Sequence, residues 1–382
     1  MSISFQVITQ EKEMEALQEE WNTLHQRTDT ASTFVSFAYV RMWYTHFAAP
    51  DAVRIYIVRA EEKLVGLLPL VLMHHSGGVC ELTNLTNDHC LIAPPLIAAE
   101  YREVVQQTLL NALMTTKTDW DLFTHNFFYS FYRLPSLFTE SQLAGCGCLW
   151  KNVTEPTYAI FMKGTFAEYF TQVLSRNLRK NLKNAANRLN REKNVRYLLL
   201  RDEEVLTFWP KFLELEASGW KGQSETAIAC TDTAIQQYYL DLIRLMSATH
   251  QIYLYGLEVD GVLVAGEFGY VDKDIFHHAK VAYNEQFAHL SPSHLLLLHI
   301  LEDLPVHFPQ IKLFHMFPWD TGYKQRFVDE PSFYTTTTLY SPTWRGRTLY
   351  ALRWLKDQMK ERMPGVVSGV KKVMATIRPT GN

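Results

Sequence analysis

Apolar positions along 55–71 spell a strand, a tight turn and a second strand, with Ile55-Tyr56-Ile57-Val58 before the turn and Leu64-Val65-Gly66-Leu67-Leu68 after it. Residues 252–271 repeat the pattern, from Ile252-Tyr253-Leu254-Tyr255 through Asp260-Gly261 to Val262-Leu263-Val264-Ala265-Gly266. Each hairpin is followed by a long apolar helical stretch, near 101–115 and 292–306, and then by a short strand, Leu122-Phe123-Thr124-His125 against Leu313-Phe314-His315. The echoes lie roughly 190–200 positions apart, the spacing expected of two tandem copies of one α/β unit. A duplicated unit leaves a cleft between its copies, where ligands tend to bind.

Before the first hairpin the spacing of Leu17, Trp21 and Leu24 predicts a helix over 11–26, and an aromatic-rich helix is expected over 37–47. Pro94-Pro95 excludes helix at the end of the short strand-and-loop text of 79–95. The first copy is expected to end near Glu155-Pro156, and Tyr158-Ala159-Ile160-Phe161 to open the second as a strand. This divides the chain into domains at 1–154 and 155–345, with an amphipathic helix and basic tail over 346–382. Leu352, Leu355, Met359 and Met363 mark the apolar side of that last helix. Docking on the second domain is the expectation for it, with a membrane surface or a partner as the other reading.

A length of 382 residues suits two such domains, and 47% apolar with 20% charged residues is ordinary for a globular protein. A formal charge of −3 gives no global basic field pointing to nucleic acid. Bases are nevertheless concentrated over 176–196, where Arg176, Arg179, Lys180, Lys183, Arg188, Arg191, Lys193 and Arg196 face one acid, Glu192. On a helix these form a stripe, readable either as a solvated face or as a surface for a phosphate-bearing substrate. The start lacks the pattern of a signal peptide, and no apolar run approaches the ~20 residues of a membrane span, so a cytoplasmic chain is expected. Cys80, Cys90, Cys146, Cys148 and Cys230 form an odd set without zinc-type spacing, and no His-Glu-x-x-His or Gly-x-Ser-x-Gly is present; neither a metal site nor a serine hydrolase is expected.

Chemistry concentrates in one place. Ser291-Pro292-Ser293-His294 precedes Leu295-Leu296-Leu297-Leu298, with proline at the preferred first helical position before an apolar run. The free amides and dipole of such a helix start suit phosphate oxygens.

The stretch Ala282-Tyr283-Asn284-Glu285, followed by Ser291-Pro292-Ser293-His294-Leu295-Leu296, resembles the core motif of GNAT-superfamily acyltransferases of the cellulose-biosynthesis-associated type. Trp220-Lys221-Gly222, Asp260-Gly261 with Ala265, and Gly322-Tyr323-Lys324 extend the resemblance, which covers roughly 15–330. It implies an α/β (α+β) fold of two tandem GNAT-like domains, each a mixed, mainly antiparallel sheet flanked by helices, as in Fem-type peptidyltransferases. It also implies transfer of an acyl group, acetyl in the simplest case, from acyl-coenzyme A to an amine or hydroxyl of a small-molecule or saccharide-type acceptor. On this resemblance Val281, Ala282, Tyr283, Ser291, Ser293 and His294 would hold the donor. Asp320, just past the last shared strand, is read as the base or else as the cap of a turn at Asp320-Thr321-Gly322, with Glu267 and Glu285 as further bases. Trp220, Lys221, Lys280, Tyr323 and Lys324 would meet the substrate, Lys221 and Lys324 as clamps on a carboxylate or phosphate or else as surface or ion-pairing lysines. Ser293 stands where the family has glycine, which narrows the backbone approach to a pyrophosphate. The other readings are a Fem-like aminoacyl transferase using charged RNA and a non-catalytic module that binds an acyl donor or partner.

Overall fold

The structure is a computed structural model and describes residues 2–28, 31–132, 136–191, 194–318 and 322–362. Among them the strands are β1 (Ile3–Ile8), β2 (Val53–Ala60), β3 (Lys63–His75), β4 (Val79–Asn84), β5 (Leu96–Ile97), β6 (Leu122–Tyr129) and β7 (Leu149–Thr157), followed by β8 (Ala159–Phe161), β9 (Arg196–Arg201), β10 (Ile252–Val259), β11 (Val262–Asp272), β12 (Ile275–Tyr283), β13 (Leu313–His315) and β14 (Ser332–Tyr340). Two sheets result, in the orders β1-β2-β3-β4-β6-β14-β7, with β5 on β3, and β8-β13-β12-β11-β10-β9.

The repeat read from the sequence is a repeat of topology. β1-β2-β3-β4-β6-β14 matches β9-β10-β11-β12-β13-β8 strand for strand, and in each sheet one pair is parallel, β4 with β6 and β12 with β13. The second hairpin turns on Asp260 at φ 50° and Gly261 at φ 79°, the double positive φ that a tight two-residue connection needs.

Alternation along the strands decides which layer each side chain joins. Ile55 and Ile57 enter one core while Tyr56 and Val58 enter another beneath the helix Arg102–Thr115. In the second copy Ile252 and Leu254 join the same core as Ile55, while Tyr253, Tyr255 and Leu257 pack under the helix Pro292–His307. Leu295, Leu296, Leu297 and Leu301 of that helix are buried, each contributing about 1.5–3 kcal/mol of apolar burial. The shared central core makes the two copies one packed body. Ser32 Oγ and Thr33 N–H of the first copy donate to the buried Asp272 carboxylate of the second at 2.6 and 2.9 Å, and the Tyr39 and Tyr238 hydroxyls meet at 3.1 Å.

Two sequence expectations are corrected. Ser332–Tyr340, inside the expected 155–345 domain, pairs with β6 and β7 and so completes the first sheet. The helix Trp344–Arg362 docks on that sheet too, through Tyr350 on Tyr340 and Lys151 with Asp357, rather than on the second copy. Its apolar side faces away from the protein, with Leu352, Leu355 and Met359 all exposed. No helix among the described residues is long and apolar enough to cross a membrane.

Candidate active site

β12 and β13 pair only from Ile275 to His277 against Leu313 to His315 and then part. Two local devices force them apart. On β12 the register jumps from Gly269↔His278 to Phe268↔Lys280, leaving Ala279 as a bulge that bends the strand. After β13, Phe317 takes φ 60°, and the buried Lys324 ammonium donates to the carbonyls of Met316 (2.7 Å), Pro318 (3.1 Å) and Phe317 (3.4 Å), pinning the departing chain.

The gap opens into a cavity of about 580 Å³, within the range of small-molecule sites. Its walls include Lys280 to Tyr283 on β12, Ser291 to His294, Met316, Phe317, Tyr323 and, from the first copy, Asp88, His89 and Leu91. Asn284 N–H bonds Val264 across β11, whereas the Val281 carbonyl is taken by Lys221 Nζ at 2.8 Å. By strand alternation Val281 and Tyr283 therefore turn their amides to the gap, and Ala282 turns its amide to β11.

The helix start lies on the same cavity. Ser291 adopts the left-handed conformation (φ 50°, ψ 50°), makes no side-chain cap, and is followed by Pro292 at the first helical position. Leu295 N–H closes the first helical bond on Ser291, so the amides of Ser293 and His294 precede the ladder. Ser293 is not among the positive-φ residues, so its backbone does not require the glycine of the family pattern. His294 packs between Tyr323 and Phe327, and burial with the nearby Arg326 lowers its pKa.

A line of polar groups runs from the buried sheet to this cavity. His278 Nδ1 lies 2.6 Å from the buried Glu267 Oε1, and His278 Nε2 lies 3.4 Å from the Tyr323 hydroxyl. Glu267 and Tyr323 stand separately among the residues named from the sequence and His278 does not, although His277 and His278, adjacent on one strand, must point to opposite faces. That alternation is the signal that could have found it: His277 enters the inter-copy core, 3.1 Å from His315 between the Nδ1 atoms, and His278 is left for the cavity.

The far wall is built by both copies. His89 Nδ1 is 3.1 Å from the Tyr239 hydroxyl, and burial together with the charge of Lys280 lowers its pKa to about 4. Lys280 sits with its ammonium 5.7 Å from the Tyr239 ring centre; burial lowers its pKa, and Glu216 opposes the shift. Asp88, His89 and Tyr239 carry no motif, so nothing in the sequence marks them.

Several expected residues have partners within the protein. Lys221 pairs with the buried Glu216 at 2.9 Å as well as with Val281, and the Lys324 ammonium donates to backbone carbonyls. Glu285 is exposed and accepts the Trp220 N–H at 2.9 Å, outside the cavity lining, whereas the half-exposed Trp220 lines the mouth. Asp320 lies outside the described residues. No group of three metal-binding side chains occurs among the described residues.

In the first copy a side chain bridges the equivalent place: Asn84 accepts from Asn126 N–H at 2.9 Å and donates to the Asn126 carbonyl at 3.0 Å.

Residues 176–325 match a family model described as the acetyltransferase (GNAT) domain. No curated protein sequence matches the chain. Among solved structures, FemX superposes with a TM-score of 0.57 at 10% identity, over 88% of this chain and 98% of that one. The C-terminal domain of a putative lysylphosphatidylglycerol synthetase from Agrobacterium fabrum gives 0.53 at 11% identity, over 91% and 96%. A tandem GNAT protein from the clavulanic acid biosynthesis pathway gives 0.50 at 13% identity, over 90% and 100%. Strand order and these likenesses together show that the chain carries the GNAT fold in tandem, and the match to the acetyltransferase (GNAT) domain model falls on its second copy.

Proposed function

We propose that this chain transfers an acyl group from acyl-coenzyme A to an amine or hydroxyl of a small-molecule or saccharide-type acceptor, by direct attack and in the second copy. The observation that carries this reading is the meeting, in one cavity, of an open strand edge, an uncapped helix start and the Glu267-His278-Tyr323 line. We read the motif around Ser291 as the cellulose-biosynthesis-associated subtype.

The donor's diphosphate would sit at the amides of Ser293 and His294, and its pantetheine arm along the Val281 and Tyr283 amides. Either amide can polarise the thioester carbonyl. The acceptor would enter from the side of His89 and Lys280. As its nitrogen or oxygen bonds to the acyl carbon and the C–S bond breaks, its proton passes to His278, whose imidazolium the buried Glu267 carboxylate stabilises. Tyr323 gives its proton to the leaving sulfur and regains one from His278, so the proton lost by the acceptor ends on the thiol. Asp320 remains a second candidate for the acceptor's proton.

Charged RNA as the donor is favoured by one feature. Arg176, Lys180, Lys183 and Arg188 are exposed along the helix Arg176–Leu189, and Arg188 reaches the His289 carbonyl at 2.9 Å beside the donor mouth. Native mass spectrometry against a panel of acyl-coenzyme A esters tests the main reading. A retained ester supports it; no retained ester, with salt-sensitive RNA binding instead, replaces it with the second.

A further inference from the structure

The helix Trp344–Arg362 is amphipathic in the reverse sense to a helix that merely covers a sheet. Its inward side is small or paired. A side chain at Gly346 would come within 2.2 Å of the Ser341 carbonyl, Tyr350 packs on Tyr340 at 5.2 Å, and Asp357 is held by Lys151 and by Arg353 at 3.8 Å. On the opposite side, at helical spacing, stand Trp344, Leu352, Leu355 and Met359, exposed by 76%, 59%, 50% and 52%. Thr348 interrupts the row between Trp344 and Leu352, and large apolar side chains gathered on one exposed side mark a surface that something covers.

Charge says what. Arg347 and Lys356 are exposed and, by helical phase, lie on either border of the stripe. Residues 344–382 carry nine bases against two acids in a chain whose net charge is −3. The last part of that segment, 363–382, holds Lys371, Lys372 and Arg378 and no acid. We propose that this helix seats the protein on an anionic lipid bilayer, with Trp344, Leu352, Leu355 and Met359 at the acyl boundary and the bordering bases at the headgroups. Apolar depth and basic flanks are the two terms that hold an interfacial helix to anionic lipid, and tryptophan favours that boundary. A second copy is the poorer occupant. A two-fold pairing of stripe on stripe would set Arg347 and Lys356 against the same charges of its mate.

The full chain, sedimented with vesicles of phosphatidylcholine alone or with about 30% phosphatidylglycerol, tests the proposal. Binding is expected to the anionic vesicles and to weaken with added salt. Replacing Arg347→Gln and Lys356→Gln together should reduce partitioning roughly 30-fold, at about 1 kcal/mol for each base near the surface. Leu352→Asp with Leu355→Asp, both exposed and therefore harmless to the fold, should abolish it. Equal binding to both vesicles, no binding, or unchanged binding by either variant overturns the proposal. A dimer in vesicle-free solution that the aspartate pair converts to monomer overturns it in favour of a second copy.

Discussion

Glu267 and His278 face one another from β11 and β12 with carboxylate oxygen and ring nitrogen 2.6 Å apart, both buried, and the far side of the ring reaches Tyr323. The bulge at Ala279 separates this pair from Lys280, so that one strand places the Glu267-His278 pair on one side of the kink and Lys280 on the other.

If Tyr323 protonates the leaving sulfur, Tyr323→Phe should depend on the donor. With an ordinary alkyl thioester, turnover should fall on the order of 100-fold. With an aryl thioester, whose thiolate leaves unprotonated, the loss should shrink to a few-fold. Equal losses on both donors would assign Tyr323 to packing against His294.

At the helix start, Ser293→Asp separates fold from binding. An acid in the first turn stabilises a helix by about 0.3–1 kcal/mol, yet it opposes a bound diphosphate. Thermal stability should hold or rise while affinity for acyl-coenzyme A, read by calorimetry, falls at least about tenfold. Unchanged affinity would move the diphosphate away from this turn.

Lys221→Met should act chiefly on stability. It leaves the Glu216 carboxylate, 2% exposed, without its ammonium partner, and breaking such a pair costs about 3–5 kcal/mol. Adding Glu216→Gln should restore part of that loss. Denaturant unfolding of the single and double variants gives the coupling directly. A substrate clamp would instead raise KM and leave stability unchanged.

Stability should fall on acidification. Burial lowers the pKa values of His125 and His277 to about 3, below the ordinary value of 6.5. The native state therefore binds fewer protons than the unfolded chain between those limits. Their contribution is complete above pH 6.5 and is lost progressively as pH falls toward about 3. Each such histidine adds about 1.4 kcal/mol per pH unit to the slope within that window. His277→Phe should flatten the acid limb by one histidine's share, as read from urea midpoints across the pH series.

The sequence by itself determined the repeat, both hairpins, the class of the fold and the stretch from Lys280 to His294, because alternation, turn chemistry and helix starts are local and survive in one dimension. Tertiary structure alone decided the rest. β14 returns to the first sheet and fills the place between β6 and β7, because the open backbone edges of those two strands meet it in space and not in sequence. Lys221 and Lys324 are held by a buried carboxylate and by backbone carbonyls, partners that no local pattern announces. Asp88 and His89 joined the cavity from about half the chain's length away from Lys280, a proximity set by the core shared between the copies and by no property of the residues themselves.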